Sequence, residues 1–153
     1  TSMVGSLEDG DRLVVSSLFY EPKQCDVLVF QDVDNPHHKN AIVKRVIAVG
    51  GQTLSLRYTE NGHLEVTVDG ELLDESEYRY YDPTKYDPNT HKGTLTCTVP
   101  DGYLFVMGDN TYVSDDSRGS FGFVDEDHVI GKVVFRLCGA SLTSLFDKFG
   151  TVR

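Results

Sequence analysis

A serine, a lysine and a polar turn carry the chemistry this sequence offers. Ser2 opens the run Ser2-Met3-Val4-Gly5-Ser6-Leu7. Lys44 stands inside the apolar stretch Ile42-Val43-Lys44-Arg45-Val46-Ile47. Residues 107–118 read Met-Gly-Asp-Asn-Thr-Tyr-Val-Ser-Asp-Asp-Ser-Arg. A serine hydroxyl is a poor nucleophile until a base takes its proton. Histidine is the usual base, but His63, His91 and His128 sit in turn-like or acidic contexts, and the chain has no Gly-x-Ser-x-Gly elbow. Lys44 is the better candidate, because a cation among apolar neighbours needs a reason.

Strand alternation supplies one reason: Lys44 in solvent, Val43 and Arg45 on the other face. Burial supplies another. Desolvation disfavours the ammonium form, and a pKa brought from ~10.4 to ~8 is worth roughly 3 kcal/mol. A neutral amine at position 44 could then deprotonate Ser2. Ser114 could orient that amine, and Asp116 and Arg118, two apart, could pair behind it. The same segment also reads as an acidic surface turn, or as a calcium loop built from Asp109, Asn110, Asp115 and Asp116, although the spacing is not that of an EF-hand.

These residues need a scaffold, and the grammar is β throughout. Strands are predicted over 12–17, 26–31, 40–49, 52–58, 64–68, 94–99, 103–107 and 129–137. Asn61-Gly62 is a strong hairpin signal, and Asp69-Gly70 marks a second turn of the same kind. From 71 to 87 the composition turns acidic and tyrosine-rich, and Pro83 and Pro88 break regular structure. That stretch is expected to be an exposed, loop-rich insert. A short C-terminal helix is expected over 142–149. The expected fold is mainly β: a coiled antiparallel catalytic sheet, formed by 1–53 and 101–153, with 54–100 as a dependent inserted hairpin and acidic lobe.

With 153 residues, 39% of them hydrophobic, the chain is long enough for one domain with a buried core. Its net charge of −10 repels phosphate backbones, so no nucleic-acid partner is expected. No run approaches the ~20 apolar residues of a membrane span, and no signal peptide is visible. The start at Thr1, just before the key serine, is read as the edge of an excised catalytic portion. Cys25, Cys97 and Cys138 lack metal-type spacing to the histidines and read as buried thiols, or as one disulfide and a free thiol. His37-His38 reads as a solvated turn. No cofactor and no metal are expected.

Taken together, the segments resemble bacterial type I signal peptidases. That family's serine box, Ser-Met-x-Pro-Thr-Leu then Gly-Asp, reads here Ser2-Met3-Val4-Gly5-Ser6-Leu7, then Gly10-Asp11. Its lysine box reads Lys44-Arg45-Val46-Ile47-Ala48-Val49-Gly50-Gly51. Its third box reads Gly108-Asp109-Asn110 and Ser114-Asp115-Asp116-Ser117-Arg118. The resemblance implies Ser2 as nucleophile, Lys44 as general base and Ser114 as the hydroxyl that positions the lysine. Asp116 and Arg118 are then the supporting pair, and the backbone N–H of Ser2 is one oxyanion donor. Met3, Ile42 and Val43 are candidate substrate-binding residues, because an extended peptide could pair with the strand carrying Lys44. The implied partners are signal peptides of secreted preproteins, cut after small residues at −1 and −3, and a membrane lipid surface in the full-length protein. The implied place is the extracytoplasmic face of the cell membrane.

The sequence departs from the family at Gly5 and Ser6, where Pro and Thr are usual, and at Gly50 and Gln52, where Pro and Asp are usual. A family hydroxyl two residues before the nucleophile would precede Thr1. Three other readings stay open. One is a regulatory self-cleaving Ser-Lys protease like the SOS-response repressors. Another is a non-catalytic signal-peptidase-like module that assists assembly of surface proteins. The last is an N-terminal nucleophile at Thr1.

Overall fold

A computed structural model describes residues 2–18, 20–31, 40–82, 84–119, 121–137 and 149–150. Among these residues the strands are, in chain order, β1 (Arg12–Ser16), β2 (Val27–Phe30), β3 (Ile42–Val49), β4 (Thr53–Tyr58), β5 (Leu64–Val68), β6 (Glu71–Leu72), β7 (Thr94–Thr98), β8 (Tyr103–Met107), β9 (Val124–Asp125), β10 (Val129–Leu137) and β11 (Phe149–Gly150). A 3-10 turn, Glu126–His128, precedes β10, and Asp125 caps it by accepting from the Asp127 N–H. Among the described residues there is no α-helix. The helix expected over 142–149 lies outside them except at its last position, where Phe149 begins β11. Cys138, His37 and His38 also lie outside, as does Thr1.

The strands form two antiparallel sheets. The first has the order β1-β10-β2-β3-β8-β9, with β11 added on β10; the second has the order β6-β5-β4-β7. β2 and β3 lie inside the first sheet and are covered on both faces, which is why they read as continuous apolar runs rather than as alternating ones. Every β2 residue is buried, as are the five residues from Lys44 to Ala48. β4 and β5, by contrast, alternate buried and exposed positions, because only one face of the second sheet meets the core. The Asn61-Gly62 turn joins them as expected, closed by Gly62 N–H to Thr59 O at 2.9 Å and Thr59 N–H to His63 O at 2.7 Å.

Three apolar clusters hold the layers. The largest joins the sheets: Ile47, Ala48, Phe105 and Met107 from the first meet Leu54, Leu56, Leu64, Val66 and Val68 from the second. A second cluster places Leu28, Phe30, Val46, Leu104 and Val106 against one another. In the third, Met3 and Leu7 bury themselves against Val27, Val29 and Val133. Burial of such side chains is worth about 1.5–3 kcal/mol each. This third cluster pins the N-terminal turn to the sheet and so places Ser2.

The stretch expected as an exposed insert is divided. Residues 84–90 are exposed, but Glu75 and Tyr78 are buried. The composition misleads there because the burial comes from contacts with a distant turn, which no local pattern announces.

Candidate active site

Lys44 is only 5% exposed, so the solvent-facing reading of strand alternation does not hold for it. Its Nζ donates to Ser2 Oγ at 2.6 Å. Burial is the main influence on the amine and lowers its pKa; Asp116 and Asp115 pull it back up, and Arg118 lowers it again. Loss of hydration outweighs the nearby carboxylates, which is the condition for a lysine to exist as a neutral base.

The turn after Ser2 is tied on two sides. Ser6 and Leu7 N–H groups both return to the Met3 carbonyl, at 3.1 and 2.8 Å, and Asn110 N–H donates to the Ser2 carbonyl at 2.9 Å. Gly5 has φ +109°, with Tyr78 O and Tyr80 Cβ 3.2 and 3.4 Å from where a Cβ would stand. Proline is confined near −65°, so the residue usual at this family position could not adopt this turn.

Gly108 is where the serine turn and the polar segment meet. A Cβ there would fall 2.2 Å from Ser114 Oγ and 2.5 Å from the Ser2 carbonyl oxygen. Only glycine permits that approach. Gly108→Ala is therefore expected to destabilise the fold by about 1–3 kcal/mol, as overpacking does. Urea unfolding reads this directly, and parental stability in the variant would mean that the junction is slack.

Asp116 is fully buried. It accepts from Gly108 N–H at 3.0 Å and takes a forked pair from Arg118, Nε at 2.9 Å and Nη2 at 2.8 Å. Burial alone would raise its pKa, but the Arg118 hydrogen bonds and charge, the Gly108 N–H and the Ser114 hydroxyl outweigh it and hold the carboxyl low. Arg118 extends to Tyr58 OH at 3.2 Å and so ties this loop to the second sheet. The Ser114 hydroxyl donates to the Asp115 carbonyl at 3.5 Å and supports Asp116. In this arrangement it acts on the loop behind Lys44.

Met3 lies within the apolar cluster under the serine turn, 4% exposed. Ile42 and Val43, near the outer end of β3, keep part of their surface open. The structure thus gathers Ser2, Lys44, Ser114, Asp116 and Arg118 into one neighbourhood. It sets Met3 beneath that neighbourhood and Ile42 and Val43 along its strand.

Two further groups carried no assigned role in the sequence. Arg45, fully buried, forms a forked pair with Asp109 through Nε at 2.8 Å and Nη2 at 2.9 Å. Its remaining donors reach Cys25 O at 2.9 Å and Ser6 Oγ at 3.0 Å, and Ser6 in turn donates to Asp109. The available signal was an arginine in a buried apolar run. The Asp109 and Asp116 carboxylates, suspected as calcium ligands, are each engaged by a guanidinium. The second group is Glu75, Tyr78 and Arg79. Arg79 Nη1 donates to Gly108 O at 3.1 Å and to Thr111 Oγ1 at 3.2 Å, and Nη2 pairs with Glu75. Only the four-residue spacing of Glu75 and Arg79 hinted at this.

The structure thus sets a buried lysine against a serine hydroxyl within a mainly β fold of two antiparallel sheets. The sequence model of the family described as "Signal peptidase, peptidase S26" matches residues 1–138. A probable signal peptidase I-1 of Synechocystis sp. is 38% identical over 148 residues, covering 92% of this chain and 68% of the relative. Signal peptidase I of Bacillus caldolyticus is 35% identical over 144 residues, 88% of this chain and 74% of that one. The crystal structure of a signal peptidase I from Enterococcus faecalis V583 superposes with a TM-score of 0.54 at 28% identity, covering 74% of this chain and 97% of that one. The chain belongs to the signal peptidase I family of serine peptidases. Among its described residues, no helix is long and apolar enough to cross a membrane.

Proposed function

We propose that this chain is a serine endopeptidase that removes N-terminal signal peptides from exported preproteins after small residues, with Ser2 as nucleophile and neutral Lys44 as general base. The observation that carries this reading is the 2.6 Å contact between Lys44 Nζ and Ser2 Oγ, made by an amine whose pKa burial lowers. In the neutral state the contact runs the other way, hydroxyl to amine. As Ser2 Oγ bonds to the scissile carbonyl carbon, its proton passes to Lys44. The ammonium returns that proton to the departing amine when the C–N bond breaks. Lys44 then takes a proton from water, whose oxygen attacks the acyl-serine ester, and the proton returns to Ser2 Oγ.

Ile42 and Val43 line the substrate groove in this reading, with Met3 buried beneath the serine turn. Ser114, Asp116 and Arg118 support the lysine, with 1–53 and 101–153 as the catalytic core. The enzyme works at the extracytoplasmic face of the cell membrane. The exposed apolar side chains Val14, Val15, Leu18, Ile130 and Phe135, on β1, β10 and the segment after β1, support a lipid surface as neighbour. Cleavage of a peptide with alanine at −1 and −3 tests the proposal. Leucine at both positions is expected to lower kcat/KM by about 10–200-fold, the reach of a small pocket. Equal turnover of the two peptides, or none of either, would overturn it.

A further inference from the structure

The 75–80 segment lies in the stretch with the least family signature, yet it reaches the heart of the site. The Tyr78 and Arg79 N–H groups fold back on Glu75 O at 3.2 and 2.8 Å, which makes a tight turn. From that turn the Tyr78 ring stacks on the Arg45 guanidinium, 3.9 Å from centroid to Cζ. Tyr80 then runs beside the polar segment: its N–H donates to Asp109 O at 2.8 Å, and its carbonyl accepts from Thr111 N–H at 3.0 Å. Between these two residues, Arg79 puts its side chain on Gly108 O and Thr111 Oγ1.

We propose that Arg79, held by Glu75, is a positioning residue for the Ser2–Lys44 pair: it fixes the 108–111 turn from behind. That turn supplies one bond to the serine turn and one to a carboxylate that acts on Lys44. Asn110 N–H holds the Ser2 carbonyl, and Gly108 N–H holds Asp116. Arg79 grips the carbonyl of Gly108 and the side chain of Thr111, one on each side of Asp109-Asn110. A residue present only to fill space would be apolar, since buried ion pairs are often replaced by hydrophobic groups without loss of stability. This one keeps a buried guanidinium whose Nε has no acceptor among the described residues. Burial lowers its pKa to about 10, so it remains charged at neutral pH.

The inference rests on the peptidase reading above, and its test separates the two. On the alanine-bearing peptide, Arg79→Ala is expected to lower kcat by about 100-fold, the cost of a displacement near 1 Å, with KM within about 3-fold of the parent. Added guanidinium ion is expected to restore part of that kcat and to leave the parent unaffected. Amide hydrogen exchange at Gly108 and Asn110 is expected to speed up. If Arg79→Ala fails to fold, Arg79→Lys, which keeps the charge but not the fork, carries the same measurements. A folded variant with parental kcat, or a loss confined to KM, overturns the proposal. If the parent itself does not cleave the peptide, the peptidase reading fails. Exchange then decides the positioning role alone, and unchanged protection at both amides would refute it.

Discussion

Lys44→Met is expected to lower peptide cleavage by at least about 10³-fold, and Ser2→Ala by a similar factor, because each removes one half of a unit that acts together. The two variants should differ in stability. Lys44 binds fewer protons folded than unfolded between its lowered pKa and its ordinary value near 10.5. Parental stability should therefore rise with pH across that window, and the cost of burying the cation should be greatest below it. Methionine has nearly the same length and no charge. Lys44→Met should thus be more stable than the parent at neutral pH and should lack the rise, whereas Ser2→Ala should keep it. Parental cleavage should climb with pH through the same lowered value, as free amine replaces ammonium. Urea unfolding across pH and a kcat/KM profile make the comparison. A flat profile from mildly acidic to alkaline pH in folded protein, or near-parental turnover in either variant, would dispose of the neutral-amine mechanism.

Arg45→Ala is expected to cost about 3–5 kcal/mol of stability, the penalty for stranding the buried carboxylate of Asp109. Asp109→Ala should cost as much by stranding the guanidinium. The double change Arg45→Ala with Asp109→Ala should cost far less than the sum, since neither charge is then left alone. The loss in the single variants includes the Ser6 and Cys25 contacts, so the serine turn should loosen together with the fold. A double-mutant cycle by urea unfolding measures the coupling. Additive losses would show that the two groups are independent and that the pair does not organise the turn.

Much of the scaffold was legible because it rests on short-range chemistry. β5, β8 and β10 match their expected bounds, since β-branched and aromatic runs there end at turn residues or polar breaks. β2 and β3 are shorter than expected at their polar ends. The two-residue strands β6, β9 and β11 went unseen, being too brief to show a period. The pairing of Ser2 with Lys44 was suggested by type and context, but the burial of Lys44 was only one of two readings: a charged residue in a strand also reads as solvent-facing unless both faces of the sheet are known to be covered. The Arg45–Asp109 pair spans 64 positions, and Arg79 reaches Gly108 across 29. Contacts over such separations leave no local pattern. In the acidic stretch, the residues that matter are hidden among the ones that make it look like a solvated loop.

The left-handed backbone at Gly5 has a wider meaning. The curve itself runs in a direction closed to an imino acid, and the Tyr78 carbonyl and the Tyr80 Cβ fill the space alongside. The two stretches therefore form a matched set, and an exchange of serine turns with a proline-bearing cousin would have to move both pieces at once.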